Sequence, residues 1–309
     1  MELNDAPDLT AHIGGLSLKN PVMTASGTFG YAREFTPFID VSRLGAILVK
    51  GISLAPRSGN QPPRIVETAC GMLNAIGLEN VGLTRFIDEK MPWLQNLGAP
   101  IIVNILGDSV EEYGEIARRL TDVPGVAALE VNISCPNVKK GGVAFGSDPA
   151  MAAQVTAMVK KNTPLPVMVK LSPNVTDICL IARAAEDAGA DSLSLINTLL
   201  GMAVDARTRR PKLANIMGGL SGPAIKPIAL RMVFQVSRLV SIPVIGIGGV
   251  TTAEDALEFM IAGASAVQIG TASLRDAGAT IQVLDGIEAW MRQERVASIR
   301  SLIGSLQLD

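Results

Sequence analysis

Short apolar runs recur along this chain, and nearly every one stops at a polar residue or a glycine. The run at 21–25 leads into Ser26, 46–49 into Lys50-Gly51, and 101–103 into Asn104, while 127–134 carries Asn132. Later, 167–169 ends in Lys170, 193–196 in Asn197-Thr198, 244–247 in Gly248-Gly249, and 266–269 in Gly270-Thr271. Helical stretches separate nearly all of them: 109–120, 148–162, and one capped by Thr176-Asp177 that runs to Gly189. Thr251 with Glu254 predicts a capping box for the helix after the seventh run. Eight alternating β and α units of this length predict an α/β fold with a closed parallel sheet. That is a single (β/α)8 TIM barrel, one domain over residues 1–309. An open doubly wound sheet is the alternative. Before the first run, AHIGGLSLKNPV reads as a short β-hairpin turning at Gly14-Gly15, a plug or lid on the barrel. The segments 52–79 and 199–226 read as long active-site loops, the first irregular with Pro56, Pro62 and Pro63.

Composition suits this architecture. Hydrophobic residues make up 48% and charged residues 18%, as a filled core under helices requires, while aromatics at 4% leave aliphatic side chains to fill it. A net charge of −2 gives no reason to expect nucleic acid or an anionic membrane surface as partner. The start, MELNDAPDLTAH, is acidic and polar, unlike a signal peptide, and no apolar run approaches a membrane span. Three cysteines, Cys70, Cys135 and Cys179, have neither a disulfide nor a metal-site spacing. These features predict a cytoplasmic protein without a bound metal.

In a barrel the strand ends share one face, the face that carries active sites. That face would collect two lysines and three asparagines. The stretch 129–146, LEVNISCPNVKKGGVAFG, adds a thiol: Leu129, Val131 and Ile133 alternate with Glu130, Asn132 and Ser134, and the strand then stops at Cys135-Pro136. The only histidine, His12, falls in the hairpin, so a histidine-based triad or metal site is not expected. A thiol's ordinary pKa of about 8.5 falls beside cations, which suits Cys135 to act as a base near neutrality, with a nucleophilic role as the other option. After the last two strands, GIGGV and QIGTA bring backbone N–H groups close to where an anion would lie, with Ser221-Gly222 as a third arm. Tight helix–strand packing is the plain alternative for those glycines. Asparagine amides match the alternating donors and acceptors of a pyrimidine edge. Redox chemistry would need a cofactor, since no side chain here accepts a hydride.

These residues occur in a familiar order. ASGTFG at 25–30, LVKGIS at 48–53, NAIGLEN at 74–80, NISCPN at 132–137, KLSPNVTDI at 170–178, INT at 196–198, GGLSG at 218–222, GIGGV at 246–250 and IGT at 269–271 span the chain. Together they resemble the class 1 dihydroorotate dehydrogenases, most closely the catalytic subunits of class 1B. The resemblance implies an FMN-containing barrel, one FMN per chain, that oxidises dihydroorotate to orotate in pyrimidine synthesis. It makes Cys135 the general base. It assigns Lys50, Asn74, Ala75, Ile76, Gly77, Leu78, Asn132, Asn197 and Thr198 to the substrate. It assigns Ser26, Lys50, Gly51, Asn104, Asn132, Lys170, Ile196, Gly222, Gly248, Gly249, Gly270 and Thr271 to FMN, the glycine segments and Thr271 gripping its phosphate. A structural ion pair at the barrel mouth is the competing role for either lysine. Class 1B further implies a homodimer of this chain within a heterotetramer, beside a partner subunit carrying FAD and a [2Fe–2S] cluster, with NAD as terminal acceptor. The alternatives are a class 1A, fumarate-linked enzyme, a dihydropyrimidine dehydrogenase-like subunit, or a non-catalytic flavin- or phosphate-binding barrel. Class 2 enzymes, by contrast, use serine as the base and carry a membrane-associating N-terminal extension.

Overall fold

Eight parallel strands form a ring in the computed structural model, which describes residues 6–134, 136–137 and 143–308. They are β1 Val22–Thr24, β2 Ile47–Leu48, β3 Ile101–Ile105, β4 Val126–Asn132, β5 Val167–Lys170, β6 Ser192–Leu195, β7 Val244–Ile247 and β8 Ala266–Ile269. From β2 to β8 each strand pairs with the next in chain order, and β8 pairs with β1. The seam between β1 and β2 closes through a parallel bridge, Met23 to Ala46. The (β/α)8 barrel expected from the repeating runs is therefore the observed fold.

Every barrel strand is buried on both faces, and the pleat sorts the residues by parity. Odd positions such as Val103, Leu129, Val131 and Val169 pack outward into the main core beneath the helices. The alternate positions face the ring's interior: Met23, Ala46, Leu48, Ile102, Ala128, Met168, Ile245 and Ala266 form a separate inner core. The hairpin Ala11–Ile13 and Leu16–Leu18 inserts Ala11, Ile13 and Leu18 into that inner core. It is a plug, and burying its Ile and Leu contributes about 1.5–3 kcal/mol each.

Local signals placed most helices where the sequence put them. Ser109 caps Val110–Leu120, Asp148 caps Pro149–Asn162 and Asp177 caps Ile178–Asp187, each accepting a hydrogen bond from a first-turn N–H. One expectation shifts by a residue. The capping box before Ala253–Ile261 is Thr252 with Asp255, not Thr251 with Glu254. Asp255 also accepts from the Thr251 N–H and hydroxyl, so the acid three residues past the cap is the one that holds the turn. β3 runs one residue past Asn104, which therefore lies inside the strand.

The two long loops differ most from expectation. Within 52–79, Ile65–Thr68 and Gly71–Asn74 form a hairpin, and within 199–226, Leu199–Met202 and Met217–Ser221 form another. The hairpins join edge to edge, Asn74 opposite Gly219 and Met72 opposite Ser221, into one four-stranded antiparallel sheet. Each strand is short and half-exposed, and three of the four carry glycine, so no clear apolar run marks them. Only pairing across about half the chain joins the two hairpins into one sheet.

At the seam Thr24 completes the ladder with its side chain. Its wholly buried hydroxyl donates to the Leu48 carbonyl (3.1 Å) and accepts from the Leu48 N–H (2.8 Å). Thr24→Val keeps the shape and leaves both Leu48 groups unpaired. Each unpaired buried polar group costs about 1–3 kcal/mol, so unfolding free energy should fall by about 2 kcal/mol or more. Denaturant titration checks this, with Thr24→Ser, which keeps the hydroxyl, falling less.

Candidate active site

A cavity of about 460 Å³ lies at the C-terminal ends of the barrel strands. That volume falls within the roughly 300–1,000 Å³ usual for small-molecule sites. Ser26, Lys50, Gly51, Asn104, Asn132, Lys170, Ile196, Gly222, Gly248, Gly249, Gly270 and Thr271 all line it. So do Asn74, Ala75, Ile76, Gly77, Leu78, Asn197 and Thr198. Cys135 lies outside the described residues, but Ser134, immediately before it, also lines the cavity.

Strand ends and loop anchors set the geometry. Tyr113, on the helix after β3, donates to the Asn132 carbonyl (2.7 Å) and packs edge-on against Phe145, fixing the end of β4. Asn132 Oδ1 accepts from the Ser134 N–H (3.2 Å) and from Asn197 Nδ2 (3.3 Å), joining the ends of β4 and β6. Asn174, in the SPN segment after β5, donates to the Thr198 carbonyl and accepts from the Leu200 N–H. The paired hairpins then carry Asn74 to Leu78 across the mouth, with Asn74 Nδ2 donating to the Gly219 carbonyl (3.3 Å).

The three glycine segments meet at one wall of the cavity. Gly248 and Gly249 have φ of +127° and +77°, and a Cβ on Gly249 would lie 2.7 Å from Lys226 Cβ and 3.0 Å from the Gly222 carbonyl oxygen. Only glycine fits there, and the backbone of the turn lies bare at the cavity wall. Thr271 Oγ1 donates to Ser221 Oγ (2.8 Å), linking the loops before β7 and after β8. Asp255 underpins the turn. Burial pushes its carboxyl up, but hydrogen bonds from Lys226, Thr251 and Thr252 outweigh that and hold its pKa at about 2.

The two lysines differ in kind. Lys170 is almost wholly buried, 3.2 Å from Ser26 Oγ and 3.8 Å from Glu130 Oε2. It has the ion pair that was the competing role, and it lines the cavity as well. Lys50 is half-buried, and among the described residues no carboxylate comes within ion-pair distance. Burial pushes its pKa down, Glu79 raising it only in part. A desolvated cation without a counter-charge is what a site for an anion requires. Ser134 Oγ is likewise buried with no hydrogen-bond partner among the described residues.

Several lining residues were not anticipated. Ser134, Thr251 and Glu79 are polar, while Ile225, Ile247 and Leu106 supply apolar wall. Ser134 could have been found as the neighbour of Cys135; Glu79 and Leu106 carried no local signal. Beneath the floor lies wholly buried Glu130, whose even position beside Asn132 in a doubly buried strand was the overlooked clue.

Known proteins share this chain throughout. Residues 8–291 match the family described as dihydroorotate dehydrogenase. The chain belongs to the dihydroorotate dehydrogenase family. It is 60% identical over 301 residues to a protein of Pelobacter propionicus, covering 97% of this chain and 99% of that one. A protein of Citrifermentans bemidjiense is 58% identical over 302 residues (98% and 99% covered), and one of Geobacter sulfurreducens 57% over 302 (98% and 99%). All three are named dihydroorotate dehydrogenase B (NAD(+)), catalytic subunit. This likeness sets the chain with class 1B within the family.

Lys50 offers a test in the ligand-free dehydrogenase. Its depressed pKa means the charged form opposes folding, so stability should rise as pH climbs through the folded pKa towards the unfolded value of 10.5. Lys50→Met should melt higher than the parent at pH 7, with the gap narrowing as pH rises towards 10.5. Melting curves across that range check it; a lower melting point at pH 7 would make Lys50 structural.

Proposed function

We propose that this chain is the catalytic subunit of a class 1B dihydroorotate dehydrogenase, oxidising dihydroorotate to orotate in pyrimidine biosynthesis. One observation carries this: the unpaired Lys50, the amides of Asn74, Asn132 and Asn197, and the glycine cradle all open on the same cavity. A pyrimidine with a carboxylate offers that cavity an anion and a row of donors and acceptors. Lys50 would pair with the carboxylate. Asn74 to Leu78, Asn132, Asn197 and Thr198 would hold the ring and exclude water.

The chain's own residues fit FMN. Gly248, Gly249, Gly270, Thr271 and Gly222 suit its phosphate, and Ile196, Ile225 and Ile247 suit the face of a flat ring. Ser26, Lys50, Gly51, Asn104, Asn132 and Lys170 suit the ring's polar edge. When bound, flavin supplies the acceptor for the hydride that leaves C6 of the substrate, which no side chain here can provide. Cys135, assigned from the sequence, takes the proton from C5, with Asn132 and Ser134 ordering the chain just before it.

Anaerobic addition of dihydroorotate should bleach the flavin of the purified chain. Cys135→Ser should keep flavin and orotate binding yet slow this step by about 10²–10⁴-fold, the usual cost of losing a general base. The residual rate should shift to higher pH, since a hydroxyl is the poorer base. Undiminished reduction in Cys135→Ala would exclude the role.

Electrons must then leave. Among the described residues there is no metal-binding cluster, and no helix is long and apolar enough to cross a membrane. A cytoplasmic partner subunit bearing FAD and a [2Fe–2S] cluster is the proposed outlet, docked on a dimer of this chain and passing electrons to NAD. The isolated chain should reduce artificial dyes but turn over NAD only when that partner is added. Rapid turnover with fumarate would instead assign it to class 1A.

A further inference from the structure

Glu130 lies inside the barrel, one pleat below Asn132 on β4, and is 0% exposed. Both its carboxylate oxygens are engaged. Oε1 accepts from Ser194 Oγ (2.8 Å) and Gln268 Nε2 (2.7 Å); Oε2 accepts from Asn104 Nδ2 (2.6 Å) and lies 3.8 Å from Lys170 Nζ. Four other strands thus point donors at one carboxylate. Two of the donors, Asn104 and Lys170, line the cavity; Ser194 and Gln268 lie beneath it. An amide presents either its N–H₂ or its C=O in a given direction. With Nδ2 drawn down to Glu130, Asn104 turns Oδ1 towards the Gly51 turn, where an added Cβ would fall 2.7 Å from it.

We propose that Glu130 is a positioning residue that sets the electrostatics of the cavity floor: it holds Asn104 as an acceptor and balances the charge of Lys170 beneath the bound flavin. This rests on the flavin reading above. A fixed negative charge in a water-poor interior acts strongly on a nearby group whose charge changes. Reduced flavin is the more negative form, so Glu130 opposes reduction while Lys170 favours it. Together they hold the flavin's midpoint potential between two extremes.

The test is a charge cycle read by flavin midpoint potential and absorption spectrum. Glu130→Gln should shift the potential positive, Lys170→Gln should shift it negative, and the double variant should return close to the parent. Removing one partner of a buried pair is the more disruptive change. If Glu130→Gln does not fold, the same charge step is read between Lys170→Gln and the double variant, where a positive shift is again expected. Ser194→Ala, which removes a hydrogen bond to Glu130 but no charge, should lower the melting temperature and leave the potential unmoved. If removal of Glu130 lowers stability without moving the potential in either background, its role is purely structural. A parent chain that retains no flavin would instead overturn the flavin reading itself.

Discussion

The ring depends on the seam between its first two strands, where an isolated bridge and two backbone hydrogen bonds are completed by one hydroxyl. Thr24 gives Leu48 a partner for both its N–H and its C=O, and the parallel ladder becomes continuous. Closure is what forces alternate residues of every strand to face a common axis. From that follow the dry inner core around Met168 and Ile245, the plug that fills its lower end, and the polar layer above. An open sheet with the same strands would keep Asn104 and Lys170 beside Glu130 on neighbouring strands but carry Ser194 and Gln268 out of its reach.

Within that frame, charge is handled in two ways around one cavity. Lys170 is given its counter-charge by the protein, so its position is settled before any ligand arrives. Lys50 is held half out of water with its counter-charge withheld, which costs folding energy and makes an incoming anion the means of recovering it. The sites of strain and of recognition are therefore the same. Asp255 shows the opposite strategy: its carboxylate takes up Lys226 and the N–H groups of Thr251 and Thr252, so the glycine turn it supports is rigid on its own account.

Much of this was legible in the sequence because the relevant signals are local. Apolar runs of four or five residues gave the strands, and Ser109, Asp148 and Asp177 gave helix starts, since a cap needs only its own first turn. GIGGV and IGT were readable because a turn with positive φ demands glycine whatever surrounds it. The capping box slipped by one residue because Thr251, Thr252, Glu254 and Asp255 satisfy the pattern almost equally, and only three-dimensional contacts separate them. The four-stranded sheet was illegible for a deeper reason: the local hairpin of Gly71–Asn74 with Ile65–Thr68 joins a larger sheet only through Met217–Ser221, far along the chain. Glu130 escaped notice because period-two alternation usually marks a polar, solvent-facing side, whereas in a closed ring that side is the interior.

The joined hairpins have a consequence for how such chains can vary. One grows from the loop after β2 and the other from the loop after β6, on far sides of the ring, yet their strands share a register. A single-residue insertion in either would carry alternate side chains to the opposite face and break the pairing of Asn74 with Gly219. Neither loop can then drift in length alone, so lineages of this fold should gain or lose residues in the two segments in step. The roof of the cavity is inherited as one piece, although it is encoded in two.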